Sequence, residues 1–457
     1  MSSTVTLPFW LFLLIIAFAA VAFFSHFLFP SVRWFFRRRM QRVVARLNER
    51  LDRPIQPFKL MRRHDMIVRL VHDPKVAEAI AAEAAASGEP LSVLQERARR
   101  YAREIVPAFS ATIYFGFAAR AAKWLARLIY RVRVGSFDAA AFTRIDKGAT
   151  VVFVMNHRSN MDYVLVTHLA AERSALSYAV GEWARVWPLS RLIRAAGAYF
   201  IRRRHSSPLY RRVLSRYVQM ATEEGVTQAI FPEGGLSLTG AVGPAKLGIL
   251  SYIVAGWHPG GRDVVFVPVA LAYDRVIEDR VLVAAHTEGT RRFRAPLWSI
   301  VKFIGRQLRR ALMGRFQKFG SAAVAYGAPV SLSAFVAAPR EDAVAELAAD
   351  LMARIARGVP ILPVPLFCAA MGADMVAPRD VVLARAEALA ERLRAAGARL
   401  DLPEGGVPAA VDYALRLLTL RKVVTEDQGQ LSVTESERGL IGFYAAAVQQ
   451  HLYASAA

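Results

Sequence analysis

Residues 151–169 read VVFVMNHRSNMDYVLVTHL. This stretch begins with five apolar residues, mostly β-branched or aromatic, which favour a strand. A polar group follows, in which Ser159, Asn160 or Asp162 can begin a helix. The second apolar run then has the length of a helix. The stretch therefore predicts a strand, a polar turn and a helix, with His157 at the carboxyl end of the strand.

The same alternation continues outward from this stretch. Further β-rich runs are TQAIFPEGG (227–235), DVVFVPVALAY (263–273) and SAAVAYGAPVSL (321–332), and helix-like segments lie between them. Strands that alternate with helices are typical of a mostly parallel sheet covered by helices. We therefore predict an α/β domain over residues 148–335, with functional groups at the carboxyl ends of its strands.

The N-terminal segment predicts a membrane anchor. Residues 5–30 carry no Asp, Glu, Lys or Arg, and about 20 apolar residues suffice to cross a bilayer. Six arginines follow between residues 33 and 46, which by the positive-inside rule place the bulk of the chain in the cytoplasm. We therefore expect a single transmembrane helix within residues 1–32 of an inner (cytoplasmic) membrane protein. A buried helix of a soluble core is the alternative, and two anchoring segments are also compatible.

The remaining segments have helical patterns. Residues 33–147 form a predicted helical, membrane-associated region. Within it, aromatic and aliphatic residues alternate with cations over residues 109–135, as in a helix on a membrane surface or on the protein's own core. A basic, apolar segment at residues 291–320 is a second candidate for membrane contact. After about residue 335 we predict no strand, and residues 336–457 form a C-terminal helical region.

The excess of positive charge indicates an anionic partner. The chain has 60 Lys+Arg against 37 Asp+Glu, a net charge of +23. Nucleic acid, anionic lipid or acidic substrates would satisfy this excess. No nucleic-acid-binding motif is present and the basic residues adjoin membrane-like segments, so membrane lipids are favoured and nucleic acid is not expected. The single Cys368 excludes an intrachain disulfide framework and a multi-thiolate zinc site, and its apolar neighbours predict a core position.

His157 and Asp162 can form an acid–base pair across the predicted turn. A carboxylate on one imidazole nitrogen fixes the tautomer and raises the basicity of the other nitrogen, which can take a proton from a hydroxyl. No G-x-S-x-G motif is present and Cys368 is remote, so the nucleophile would belong to the substrate. His258 and Asp263 have the same spacing, but they lie in a Pro-Gly-Gly stretch that we interpret as a loop.

Two further motifs suit a phosphorylated substrate. GAYFIRRR (197–204) places arginines after a strand, where they could bind phosphate bidentately. FPEGGLSLTG (231–240) combines a tight turn with Glu233, Ser237 and Thr239, which can exchange hydrogen bonds with hydroxyls. Considered alone, GAYFIRRR could equally be a run of solvated charges, and FPEGGLSLTG could equally be a turn without a function.

Taken together and in this order, the H-x-x-x-x-D pair, GAYFIRR, FPEGG-x-S-x-TG and VPVALAYD resemble the four blocks of the glycerolipid acyltransferase family. The resemblance covers about residues 148–330. HRSNMDY, GPAKLG and VPVALAYDRVIED, with the helical tail, resemble the branch that acylates glycerol 3-phosphate or dihydroxyacetone phosphate.

The resemblance implies a role for each matching residue. His157 would be the general base and Asp162 would orient it. Arg202 and Arg203 would bind the acceptor phosphate, the Glu233 turn would shape the acceptor site, and Pro268 would border the acyl donor. The implied substrate-binding set is Arg158, Ser159, Arg202, Arg203, Glu233, Gly234, Gly235, Ser237, Thr239, Lys246 and Pro268, with no metal.

One departure concerns the third block. The branch has basic residues where this chain has Leu236 and Leu238. Each charge-assisted contact that these cations would make is worth about 1.5–3 kcal/mol. Either Arg204, Lys246 or another cation substitutes, or the acceptor is less anionic or more lipid-like.

We therefore expect a membrane-bound O-acyltransferase. It would move a fatty acyl group from an acyl-CoA or acyl-carrier-protein thioester to a hydroxyl of glycerol 3-phosphate, the first step of phospholipid synthesis, without a cofactor. Lysophosphatidate acylation is the alternative within the family, and a non-catalytic membrane lipid-binding scaffold is the alternative outside it.

Overall fold

The computed structural model describes residues 8–135, 142–171, 173–181, 189–202, 207–289, 305, 309, 313 and 317–453, except for the side chains of residues 20–37, 40 and 453. The chain divides into two units, Met1–Ile55 and Gln56–Ala457. The first unit contains the 40-residue helix α1 (Phe9–Asn48). Among the described residues, no helix combines the length and the hydropathy of a membrane span. Of the anchor predicted within residues 1–32, residues 1–7 and the side chains of residues 20–32 lie outside this description.

The second unit begins with helices. These are α2 (Pro57–Leu60), α3 (Arg63–Val71), α4 (Pro74–Ser87), α5 (Leu91–Ile105), a π-helix (Thr112–Ala118) and α6 (Ala119–Ile129). Asp73 caps α4 by accepting a hydrogen bond from the Lys75 amide, and Gly88 ends it in the left-handed conformation. In α5, buried Leu94, Ala98 and Ala102 repeat every four residues, so one face packs inward.

The segment 109–135 is helical only as far as Ile129. In α6, Ala122, Ala126 and Ile129 are buried, so one face packs on the protein's own core, whereas Trp124 is 52% exposed. Strand β1 (Arg131–Val134) follows. The helical interpretation of this end was wrong, because alternating Arg and Val pair in parallel with a strand formed nearly 190 residues later.

A mostly parallel sheet forms the centre of the second unit. Its strands are β1, β2 (Thr150–Met155), β3 (Ser177–Val180), β4 (Tyr199–Phe200), β5 (Gln228–Ile230), β6 (Val264–Tyr273), β7 (Ser321–Tyr326) and β8 (Val330–Ser331). Their order is β1-β7-β6-β2-β5-β3-β4, with β8 also on β6. Only the pairs β6–β7 and β6–β8 are antiparallel among the described strands of this sheet. The predicted mostly parallel α/β architecture is confirmed.

Helices cover both faces of this sheet. They are α7 (Met161–Ala170), α8 (Leu189–Ala195), α9 (Pro208–Glu223), α10 (Gly248–Val254) and α11 (Asp279–Thr287). Side chains of β2 alternate between two cores. Val151, Phe153 and Met155 join the core of α7 and the C-terminal helices, and Val152 and Val154 join the core of α9 and α3–α5. A strand buried on both faces reads as an uninterrupted apolar run, as this one does.

The C-terminal region is helical but also contains strands. Its helices are α12 (Leu332–Val336), α13 (Ala343–Gly358), α14 (Pro363–Met371), α15 (Arg379–Ala395), α16 (Gly406–Leu420) and α17 (Arg438–Tyr453), with a 3₁₀ turn (Glu435–Glu437). Strands β9 (Val376–Pro378), β10 (Val424–Asp427) and β11 (Gln430–Val433) form a small antiparallel sheet.

The expectation of no strand beyond residue 335 was wrong. Gln428 and Gly429 both have positive φ and connect β10 to β11 in a two-residue hairpin. Gln is an unusual residue for that position, which hid the turn signal. Cys368 lies on α14 and is 1% exposed, as predicted for a core residue.

Candidate active site

His157 lies two residues beyond the end of β2, and Asp162 lies in the first turn of α7. The turn between them brings His157 Nδ1 to 2.8 Å from Asp162 Oδ2. The His157 side chain is 2% exposed and the Asp162 side chain is fully buried. The first turn of a helix also suits a carboxylate, because the helix dipole is positive there. The predicted pairing of these two side chains is thus present in the structure.

Four hydrogen bonds fix the Asp162 carboxylate. In addition to the histidine, Oδ2 accepts from the backbone amides of Arg158 (2.7 Å) and Ser159 (3.0 Å). The hydroxyl of Tyr273, the last residue of β6, donates to Oδ1 at 2.6 Å. A carboxylate held in this way accepts the Nδ1 proton of His157, so the lone pair of the imidazole is on Nε2.

Aromatic rings enclose the imidazole. The Phe231 ring stacks on it with centroids 4.3 Å apart and an angle of 29°, and the Tyr163 ring meets it edge-on at 5.4 Å. Within the described part of the chain, nothing hydrogen-bonds to Nε2. This nitrogen can therefore accept a proton from a hydroxyl placed at the edge of the ring.

The turn after β5 is tied to the turn after β2. Glu233 Oε1 accepts from the backbone amide of His157 (2.8 Å), and Oε2 accepts from the amide of Gly243 (3.1 Å). The Ser237 amide donates to the carbonyl of His157 at 2.9 Å. Burial raises the pKa of Glu233 to about 7. Both Glu233 oxygens thus bind backbone and hold the histidine between two loops.

The rest of the third block, FPEGGLSLTG (231–240), packs around Glu233. Gly234 has φ +66°, and a Cβ there would lie 2.8 Å from Cδ of Lys246, whose stem crosses it. The Ser237 hydroxyl donates to the carbonyl of Ala241. Gly235 is partly buried in the same turn, and Thr239 is exposed.

The two leucines of the third block do not face solvent freely. Leu236 and Leu238 are partly buried and pack against the core that contains α7 and the C-terminal helices. They therefore supply apolar contacts at positions where cations were expected from the resemblance.

Arg158 is the buried cation next to the histidine. Its side chain is 3% exposed, and its guanidinium carbon lies 5.2 Å from the centroid of the Phe443 ring on α17. Burial lowers its pKa, while nearby Glu233 acts in the opposite direction. Among the described residues, the guanidinium has no hydrogen-bond acceptor. A buried guanidinium in this state favours an anionic ligand.

Arg202 lies at a distance from this cluster. It follows β4, which is three strands from β2, or about 14 Å at the usual strand spacing. Its Nε and Nη2 donate to the two carboxylate oxygens of Glu104 at 2.9 and 2.7 Å. This pairing raises its pKa. Arg203 lies outside the described residues.

Pro268 lies in β6, opposite Val154 of the neighbouring strand β2. Its carbonyl accepts a hydrogen bond from the Gly327 amide at 2.8 Å, and because proline has no N–H, it cannot return the reciprocal bond of the β6–β7 ladder.

Two stretches of the chain match family models of known proteins. Residues 141–272 match the acyltransferase family model, and residues 305–457 match the model of the glycerol-3-phosphate acyltransferase C-terminal region. Over these two stretches the chain is similar to acyltransferases.

Curated glycerol-3-phosphate acyltransferases are among its relatives. That of Ectopseudomonas mendocina is 31% identical over 280 residues, which is 60% of this chain and 32% of that protein. That of Pseudomonas fluorescens (strain SBW25) is 30% identical over 288 residues, 62% of this chain and 33% of that protein. The chain thus spans about a third of the length of these relatives. A solved 1-acyl-sn-glycerophosphate acyltransferase of Thermotoga maritima is 18% identical, with a TM-score of 0.33 over 64% of this chain and 94% of that one.

The sequence analysis did not identify two residues of this candidate site. Tyr273, which holds Asp162, stands inside the quoted motif VPVALAYD but had no assigned role. Glu278 accepts hydrogen bonds from the Ser159 hydroxyl (2.7 Å) and from the Asn160 side chain (3.0 Å), and so holds the histidine turn from the other side. Burial raises its pKa. A carboxylate just before a helix gives no sequence signal for such a long-range partner.

Proposed function

We propose that this chain is a membrane-bound acyltransferase that moves a fatty acyl group from an acyl-CoA or acyl-carrier-protein thioester to a hydroxyl of glycerol 3-phosphate. The observation that carries the proposal is the His157–Asp162 pair, in which Nε2 has no hydrogen bond to the described residues, followed in the chain by the buried cation Arg158. Acceptance of a hydroxyl proton and binding of an acceptor phosphate are the two tasks that this pair and this cation suit.

The proposed chemistry is direct transfer. Nε2 of His157 takes the proton of the acceptor hydroxyl as its oxygen attacks the thioester carbonyl carbon. Asp162 stabilises the imidazolium that forms. Collapse of the tetrahedral intermediate breaks the carbon–sulfur bond and forms the ester, and the imidazolium returns its proton to the thiolate. No covalent intermediate with the enzyme is needed.

Arg158 is the first proposed contact of the acceptor phosphate. It lies one residue from the base, it is buried, and its guanidinium is without an acceptor in the described chain. Leu236 and Leu238 are uncharged and pack against the core, so cations at other positions would have to bind the phosphate. Lys246, whose stem lies on Gly234, is a second proposed contact. Arg202 would have to exchange Glu104 for the phosphate.

We further propose that the chain acts at the cytoplasmic face of a membrane and needs no cofactor. The uncharged run of residues 5–30 and the arginines that follow it support this location. The net charge of +23 suits anionic lipids and the acidic groups of either thioester donor.

An acyl-transfer assay in liposomes tests the proposal. Glycerol 3-phosphate, dihydroxyacetone phosphate and lysophosphatidate are offered separately, each with CoA and carrier-protein thioesters. We expect lysophosphatidate from glycerol 3-phosphate, its loss in His157→Ala, and its retention in His258→Ala, since His258 is exposed in a loop. Acylation of lysophosphatidate alone would move the assignment to that reaction. Full activity in His157→Ala would refute the mechanism.

A further inference from the structure

A cavity lies beyond the carboxyl end of β6. Its volume is about 190 Å³, and it lies between Asp274–Arg275, residues 317–319 before β7, and the C-terminal end of α16. Three cations line it, namely Arg275, Lys318 and Arg421. Leu417 and Leu420 add an apolar wall, and Leu420 is 57% exposed.

The environment of Arg275 indicates that the cavity binds an anionic ligand. Its guanidinium carbon lies 3.9 Å from the centroid of the Phe319 ring, and its Nε is buried. Its guanidinium donates no hydrogen bond to the described residues. Burial lowers its pKa, and so does the positive charge of Arg421, while the negative charge of Asp279 acts in the opposite direction. Two guanidinium groups close together at a partly buried site destabilise each other unless an anion lies between them.

The acidic groups at this cavity already have partners other than Arg275 and Lys318. Arg421 is paired with Asp279 at 2.7 Å, and both side chains are nearly buried. Asp274 accepts from the backbone amides of Ser321 (2.7 Å) and Val364 (3.1 Å). Neither Arg275 nor Lys318 has an ion pair within the described part of the chain. Two cations of the cavity therefore remain for an anion.

We propose that this cavity binds a phosphate monoester at a site separate from the catalytic histidine. The planar fork of Arg275 and the ammonium of Lys318 suit the oxygens of a phosphate. The volume holds the phosphate and a small substituent, and Leu420 offers an apolar surface at the opening for a larger one. The same chemistry is found in soluble sugar and glycerol phosphates and in the headgroup of phosphatidate.

Calorimetric titration of the full chain with inorganic phosphate tests the site. Arg275→Gln and Lys318→Gln should each raise the Kd at this site at least about tenfold, since each removes a charge-assisted contact. The matched control is Arg392→Gln on the exposed side of α15, which should bind as the wild type does. Arg158→Gln should weaken only the other, catalytic class of phosphate binding.

Two further arms identify the source of the phosphate. Binding of glycerol 3-phosphate that depends on Arg275 indicates a soluble ligand, and binding to phosphatidate-containing vesicles that depends on Arg275 indicates a lipid headgroup. Wild-type affinity for every probe in both Arg275→Gln and Lys318→Gln would overturn the proposal. Because Lys318 is exposed, its variant carries the test if Arg275→Gln does not fold. The result does not depend on whether acyl transfer is detected.

Discussion

Replacing Asp162 by Asn isolates the charge of the carboxylate from its hydrogen bonds. The Asn carbonyl can stand where Oδ2 accepts from His157 and from two backbone amides. The amide nitrogen then faces the Tyr273 hydroxyl, which can accept as well as donate. The variant should therefore fold, with a change in unfolding free energy on the order of 1 kcal/mol. Asp162→Ala would instead leave several buried donors unpaired and confound folding with catalysis.

The expected loss of activity follows from the geometry of the pair. With Nδ1 and Oδ2 at 2.8 Å, the charge centres of imidazolium and carboxylate lie about 4 Å apart, which gives about 4 kcal/mol at an effective dielectric constant of about 20. That energy is present only when the histidine is protonated. We therefore expect kcat to fall about 10³-fold, with little change in KM for the acceptor.

Initial rates of acyl transfer in liposomes measure this loss, and chemical denaturation of the same preparation measures folding. A kcat within about threefold of the wild type, in a variant with wild-type stability, would refute the role of Asp162 as the counter-charge. A large loss that is confined to KM would mean that Asp162 acts in binding the acceptor.

Three other substitutions test the supports of the site. Tyr273→Phe removes the 2.6 Å hydrogen bond to the buried carboxylate and should cost about 1.5–3 kcal/mol in urea unfolding; an unchanged midpoint would contradict this. Burial raises the pKa of Glu233 from 4.5 to about 7, so the folded state favours the protonated carboxyl group. The free energy of unfolding therefore falls as pH rises from about 4.5 through 7. Glu233→Gln should lack this loss, on the order of 3 kcal/mol, and parallel stability–pH curves would disprove it. Gly240→Ala would place a Cβ 1.8 Å from the Phe443 carbonyl oxygen and should cost about 3 kcal/mol, whereas Gly248→Ala, which meets nothing, should be tolerated.

The sequence was sufficient to predict contacts between residues that are close together in the chain. His157 and Asp162 are five residues apart, and a strand end followed by a helix start leaves few arrangements that do not bring them together. The apolar run of β2 likewise predicts a strand, and the structure buries every residue of that strand. The decoy pair His258 and Asp263 was separated by the same reasoning, since Pro and Gly between them predict the loop that the structure has.

Sequence reasoning was insufficient where the partner is remote. Arg131 and Arg133 lie on a helical-looking pattern, but a strand nearly 190 residues away draws them into the sheet. Arg202 follows a strand end, as a phosphate ligand would, yet its bidentate partner Glu104 comes from the end of α5, about a hundred residues earlier. The motif GAYFIRRR does not indicate whether an arginine in it is paired with a carboxylate or is available to bind phosphate.

The C-terminal helix α17 is the remote element with the greatest consequence for the site. The carbonyl of Phe443 lies against Gly240, so the third block can approach α17 only because residue 240 has no side chain. Gln450 accepts from the Val242 amide at 2.9 Å, which holds the same loop from further along the helix. The Phe443 ring also covers Arg158, the cation proposed for the acceptor phosphate.

Tyr444 makes the complementary contact on the fourth block. Its hydroxyl accepts from the Val276 amide at 3.0 Å and donates to Asp279 at 2.6 Å, directly beyond the strand that carries Tyr273. Helix α17 thus holds the loops after β5 and after β6, and these loops in turn hold His157 and Asp162. The two family-model matches, over residues 141–272 and 305–457, therefore describe parts of one site, and the geometry of the base depends on the helical region as much as on the sheet.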